Sequence, residues 1–170
     1  MSCLVENPYP IYLFKSRRHR EPPCLCVCVV QKRITMNVAN NNFKPITERE
    51  QWLTWQLMNI AITVHKTLGP GLLESIYEKC FCYELSKRNI PFVRKQALPI
   101  IYNNMAIDEG LSIDLVIDDL IIIEVKAQEN YHPVWEAQLL SYLKLTGKRL
   151  GYIMNFHVPL MKDGIKRMVL

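Results

Sequence analysis

Three charged side chains interrupt the most apolar stretch of the chain, and their types are those that handle phosphate chemistry. Asp114, Glu124 and Lys126 lie in the run L-S-I-D-L-V-I-D-D-L-I-I-I-E-V-K-A-Q over residues 111–128. β-branched residues dominate this run and Asp118-Asp119 is turn chemistry, so it reads as two strands over 111–117 and 120–127. Residues i and i+2 of a strand share a face, so Glu124 and Lys126 project together. Glu124 is flanked by Ile123 and Val125, where a lone charge is costly to bury. Either Lys126 alone compensates it, as a structural ion pair, or a metal ion does so together with Asp114.

Strand register separates these readings. A two-residue turn at 118–119 pairs Asp114 with Ile123 and sends the carboxylates to opposite faces. A three-residue loop, or a bulge, pairs Asp114 with Glu124 and brings them together. A shared site therefore requires the odd-numbered loop. Two carboxylates and a lysine around one point suit metal-assisted phosphodiester hydrolysis, because hard oxygen ligands match Mg²⁺ or Mn²⁺. The ion polarises the phosphate and helps deprotonate a water, and Lys126 orients that water or offsets developing charge.

The rest of the chain supplies elements that position these groups. Thr47-Glu-Arg-Glu50 is a capping-box pattern that opens a helix. Leu53, Leu57, Ile60, Ala61, Val64 and Leu68 give that helix an apolar stripe. Gly69-Pro70-Gly71 ends it and starts a second helix over 72–88, with Leu73, Ile76, Tyr77, Cys80, Phe81 and Leu85 inward. Glu74 sits beside this stripe, one turn before Tyr77, where the helix dipole also favours an acid. His65 reads as a packed or hydrogen-bonded histidine rather than a ligand. After a break at Asn89-Ile90-Pro91, a strand is expected over 92–102, turning at Asn103-Asn104. Beyond the central hairpin, Pro133 opens a helix that runs to about residue 145, with Gln138 and Tyr142 on one face. Gly147 ends it; a last strand over 149–156 and a short basic helix over 162–169 follow. Strands separated by a helix imply a crossover connection and a mixed sheet with helices packed on it.

A chain of 170 residues, 49% hydrophobic, suffices for one packed domain, and no apolar run reaches the ~20 residues of a membrane span. The net charge of +5 is concentrated at the start: residues 1–35 hold six Lys/Arg against two Asp/Glu, and residues 36–170 hold fifteen against fourteen. Four of the six cysteines (Cys3, Cys24, Cys26, Cys28) lie in that first stretch too. Cys24-x-Cys26-x-Cys28 is open to a soft metal, but nothing downstream supplies zinc-type spacing. The cysteine pattern and the lack of a clear signal peptide fit a reducing, intracellular, cytoplasmic setting. Residues 1–35 read as a disordered or spurious extension and 36–170 as the domain, with Met36 a native start.

Gly71-Leu-Leu-Glu74-Ser-Ile-Tyr77 matches a G-x-x-E-x-x-Y signature, and from about Trp52 onward the chain resembles the GxxExxY protein family of the PD-(D/E)XK nuclease superfamily. The likeness continues through I-D-L-V-I, I-I-E-V-K-A, E-A-Q-L-L-S-Y-L and N-F-H-V-P-L-M-K-D-G-I, in order. It implies an α/β (α+β) fold with a restriction-endonuclease-like αβββαβ core, a mixed central sheet flanked by helices. It implies Mg²⁺ or Mn²⁺ held by Glu74, Asp114 and Glu124, with Lys126 as the catalytic lysine. Gln138 and Tyr142 resemble a Q-x-x-x-Y pair beside the active site, where Gln138 orients a ligand, water or phosphate and Tyr142 stacks on a base or packs. Relatives often carry a basic residue two before the aspartate; here it is Ser112, which puts a phosphate contact in question. The expected partner is nucleic acid, DNA or RNA, contacted by Tyr142, Lys144, Lys148 and Arg149, with no membrane and with a homodimer by family analogy. Two other classes stay open. One is a non-cleaving nucleic-acid-binding module using Lys144, Lys148, Arg149, Lys162, Lys166 and Arg167. The other is a protein-interaction domain using exposed aromatics such as Trp135.

Overall fold

The computed structural model describes residues 45–107 and 110–170, so the expectations for residues 1–35, the Cys24-x-Cys26-x-Cys28 cluster among them, lie outside the described residues. Helix α1 spans Glu48–Leu68 and α2 spans Glu74–Lys87. Strands β1 (Phe92–Ala97), β2 (Ile100–Tyr102), β3 (Met105–Ile107), β4 (Ser112–Ile117) and β5 (Ile121–Lys126) follow. Helix α3 (Val134–Thr146) then leads to β6 (Leu150–Asn155), a 3₁₀ turn at Met161–Asp163 and β7 (Ile165–Val169).

The capping box forms as the sequence predicts. Thr47 Oγ1 accepts from the Glu50 amide at 3.2 Å, and Glu50 Oε2 accepts from the Thr47 amide at 2.7 Å. Leu53, Leu57, Ile60, Ala61 and Val64 are buried along α1. They join Tyr77, Phe81 and Leu85 of α2 against Leu115, Ile117, Ile121, Ile123 and Val125 of the sheet. A second core holds Trp135, Leu139, Tyr142 and Leu143 of α3 with Ile113, Val116, Ile122 and Ile153. Gly151 lets α3 sit close on β6, since a Cβ there would lie 2.8 Å from Leu139 Cδ1.

The main sheet has the order β1-β4-β5-β6-β7. The β5–β6 pair is parallel and bridged by α3, the expected crossover, and the other three pairs are antiparallel. Mixed sheet and flanking helices match the αβββαβ expectation. Two elements differ from it. The strand expected over 92–102 is interrupted at Leu98-Pro99, and its second part pairs with β3 in a separate hairpin turning on Asn103 and Asn104 at φ 47° and 65°. Proline has no N–H to give a ladder, which favours the break. The closing helix expected over 162–169 is instead the edge strand β7. Gly164 fits closely against β6, where a Cβ would lie 2.0 Å from the Asn155 carbonyl oxygen. The β-branched Ile165 and Val169 then suit a strand.

Candidate active site

The loop between β4 and β5 decides whether the acids meet. Ile117 pairs with Ile121, so residues 118–120 make a three-residue loop. Asp118 and Asp119 take φ 51° and 55° there, a region aspartate tolerates better than most residues. The register continues through Val116↔Ile122 and Leu115↔Ile123, which sets Asp114 opposite Glu124. The odd-numbered loop that a shared site requires is the one present. Asp114 Oδ2 accepts from the Val125 amide at 3.0 Å, and Glu124 Oε1 lies 3.5 Å from the Asp114 amide, a long contact. Lys126 Nζ donates to Glu124 Oε2 at 3.1 Å. Asp114 and Glu124 are buried.

Lys126 is held at the end of β5. The Phe156 amide donates to the Lys126 carbonyl at 2.8 Å. Buried Asn155 clamps the next turn of chain, accepting from the Gln128 amide at 3.1 Å and donating to the Gln128 carbonyl at 2.8 Å.

The start of α2 is built around the G-x-x-E-x-x-Y residues. Gly71 has φ 99°, a conformation that a side chain would strain. The Tyr77 hydroxyl donates to the Gly69 carbonyl at 2.6 Å and accepts from the Leu72 amide at 3.0 Å. Its ring stacks on Phe156 with centroids 4.6 Å apart. Tyr77 thus pins the loop that starts α2 against Phe156, just past β6, and fixes where Glu74 emerges. Glu74 is half-buried and within electrostatic reach of Asp114 and Lys126, with no hydrogen bond to either.

The titration behaviour follows from crowding. Burial pushes the Glu124 carboxyl up to about 7, and the charge of Asp114 adds to this while Lys126 opposes it. Burial also raises Glu74, against the pull of Lys126. Burial works against the Lys126 charge, yet the adjacent Glu124 carboxylate holds the ammonium above its usual range. Glu74, Glu124 and Lys126 are all shifted upward, as expected where buried negative charge exceeds its compensation.

The donor set suits a hard cation. Among the described residues no three His, Cys, Asp or Glu side chains are grouped to cage a metal by themselves. Mg²⁺ is commonly bound through one or two carboxylates and keeps several waters, which the Asp114–Glu124 pair provides. The third ligand expected of Glu74 is beside this pair rather than within it.

A family model described as PD-(D/E)XK nuclease superfamily matches residues 51–168. The chain belongs to the PD-(D/E)XK nuclease superfamily. No curated protein and no solved structure matches the chain significantly. The superfamily match spans both helices of the first core, the hairpin, α3 and the strands β6 and β7.

Other predicted residues distribute unevenly around this site. Gln138 Nε2 donates to the Tyr142 hydroxyl at 2.8 Å, and Tyr142 feels the charges of Glu124, Lys126 and Asp114. The Tyr142 ring is 3% exposed. So enclosed, the ring packs in the second core. Lys148 and Arg149 fall at the other end of the sheet, because parallel pairing places Leu150 beside Ile121 and Asn155 beside Lys126. Five residues of strand put that end about 16 Å from Lys126. There Lys148 Nζ pairs with Asp119 at 2.5 Å and Arg149 pairs with Glu50. Lys144 is exposed on α3. Lys166 pairs with Glu136 at 2.5 Å, and Trp135 is buried in the second core rather than displayed. Packing also accounts for His65, whose Nε2 donates to the Val158 carbonyl at 2.7 Å.

Three residues of the site escaped sequence reasoning. Glu78 is buried one turn after Glu74 on α2 and pairs with Arg94 and with Lys95, the latter at 3.0 Å. Lys95 also pairs with Asp114. The spacing of Glu74 and Glu78 on one helix face was the available signal. Arg94 and Lys95 gave none, since their place depends on β1 pairing with β4.

Proposed function

We propose that the protein is a metal-dependent phosphodiester hydrolase acting on nucleic acid, and more narrowly a GxxExxY-type member of its superfamily. The observation that carries this reading is the meeting of Asp114 and Glu124 across the three-residue loop, with Lys126 bonded to Glu124. Asp114 and Glu124 would hold Mg²⁺ or Mn²⁺, with Glu74 completing the shell through water. Bound there, the ion would polarise a phosphoryl oxygen and acidify a water. Lys126 retains its proton, so it acts as an ammonium that orients the attacking water and stabilises charge developing on the phosphate. Gln138, hydrogen-bonded to a Tyr142 that feels the charges of the same cluster, would orient water or a backbone phosphate.

The test is cleavage by the full chain of single- and double-stranded DNA and RNA, with Mg²⁺, Mn²⁺ or chelator. Cutting of at least one substrate should require metal and disappear in Glu124→Ala and Lys126→Ala, with Lys126→Ala still binding metal. Cutting that survives chelator, or Lys126→Ala cutting at the wild-type rate, refutes the assignment.

A further inference from the structure

Lys95 is the residue near the acids that the proposed chemistry leaves unused. It stands in β1 between the pairs Arg94↔Leu115 and Gln96↔Ile113, directly across from Asp114, and the pair expected at that position is missing. Its φ is 51°, a left-handed conformation that residues with a Cβ adopt at a cost. Strand β4 is irregular at the same point: Ile113 packs in the core under α3, whereas Leu115, two residues on, packs under α1 and α2. Such departures from regular pleating re-aim side chains and concentrate beside functional sites.

The re-aimed group is the Lys95 ammonium. It donates to Asp114 Oδ1 and lies 3.0 Å from Glu78 Oε2. Glu78 does not depend on it, because Arg94 Nε already bonds Glu78 Oε1. Asp114 does, since its other oxygen is taken by the Val125 amide and Lys126 bonds Glu124 instead. Lys95 therefore occupies the Asp114 oxygen that the backbone leaves open for a cation. Its side chain is 46% exposed, so it has solvent to move into, and Glu78 keeps it close.

We propose that Lys95 is a tethered placeholder cation, which neutralises Asp114 while the divalent-ion position is empty and is displaced from Asp114 when the ion binds. This rests on the metal-site reading above. It makes ion loading a competition between a tethered internal charge and the free ion, so the apparent affinity for the ion is lowered by the fraction of time that Lys95 spends on Asp114. A lysine with a purely structural role has the opposite signature: removing it loosens β1 and weakens ion binding.

Calorimetric titration of the full chain with Mn²⁺ separates these cases. Lys95→Met, which keeps length and removes charge, should bind Mn²⁺ roughly tenfold more tightly than wild type, an ordinary coupling between two ligands of one site. Glu124→Ala should lose binding. Equal or weaker binding by Lys95→Met, with Glu124→Ala still defective, overturns the placeholder and leaves the metal site intact. Binding that Glu124→Ala retains in full overturns both. A second readout uses the wild-type protein alone: amine acylation followed by mass spectrometry. Saturating Mg²⁺ should speed labelling of Lys95 relative to exposed Lys66, and an unchanged ratio contradicts displacement.

Discussion

At its turn the β4–β5 hairpin gives each acid a cation of its own, whereas at its open end four acids face three cations. Around the turn, Asp118 pairs with Arg49 at 2.6 Å, Asp119 with Lys148 at 2.5 Å and Glu50 with Arg149. At the open end, Glu74, Glu78, Asp114 and Glu124 face Arg94, Lys95 and Lys126 among the described residues. Hydrogen bonds from Arg149 draw the buried Glu50 carboxyl down to about 2, outweighing its desolvation. Glu124, set deeper in the protein, is pushed up to about 7 chiefly by burial. The same residue types, at the two ends of one hairpin, are thus balanced differently. Matched pairs close the fold, and a surplus of buried acid keeps a position that a cation can improve.

The largest expected effect belongs to the open end. Lys126→Ala should reduce metal-dependent cleavage by about 10³-fold, the scale of losing one preorganised charge or proton donor. Glu50→Ala should do the reverse, leaving cleavage intact while denaturant titration shows a loss of about 2–3 kcal/mol. It breaks a buried pair with Arg149 and half of the capping box.

Next comes pH, where the two ends carry opposite signs. In the metal-free protein the folded state holds the Glu124 proton up to about 7, whereas the unfolded chain releases it near 4.5. Stability should therefore fall as pH rises through that window, by on the order of 3 kcal/mol, and Glu124→Gln should flatten the slope. Glu50 has its folded value lowered from 4.5 to about 2. Its contribution is present above 4.5 and is lost as pH falls through about 2, a slope that Glu50→Gln should remove. The smallest effect is Asp119→Ala. Its exposed pair with Lys148 should be worth below about 0.5 kcal/mol, a shift that a careful denaturant midpoint resolves.

Much of this was legible in the chain because it is local. The capping box at Thr47, the stripe of α1, the β-branched runs of β4 and β5, and the Pro133–Gly147 bounds of α3 follow from short-range pattern. The choice between two- and three-residue loops was not, since Asp118-Asp119 serves either and Leu120 joins the loop only through pairing with neighbouring strands. The distance of Lys148 and Arg149 from Lys126 was not legible either, because their sequence neighbourhood says nothing about which end of β6 lies near Lys126. Parallel pairing with β5 settles that. Lys95 and Glu78 lie on different elements and meet through the β1–β4 pair, a contact no local pattern encodes. The helix expected over 162–169 failed for a similar reason: Gly164 is shaped by its contact with β6.

The contrast between the two ends is tested most directly by anomalous diffraction from crystals soaked in Mn²⁺. One ion bounded by Asp114 and Glu124, with none among Glu50, Asp118 and Asp119, is the predicted result. An empty open end at saturating Mn²⁺, or an ion seated at the turn instead, would contradict the account.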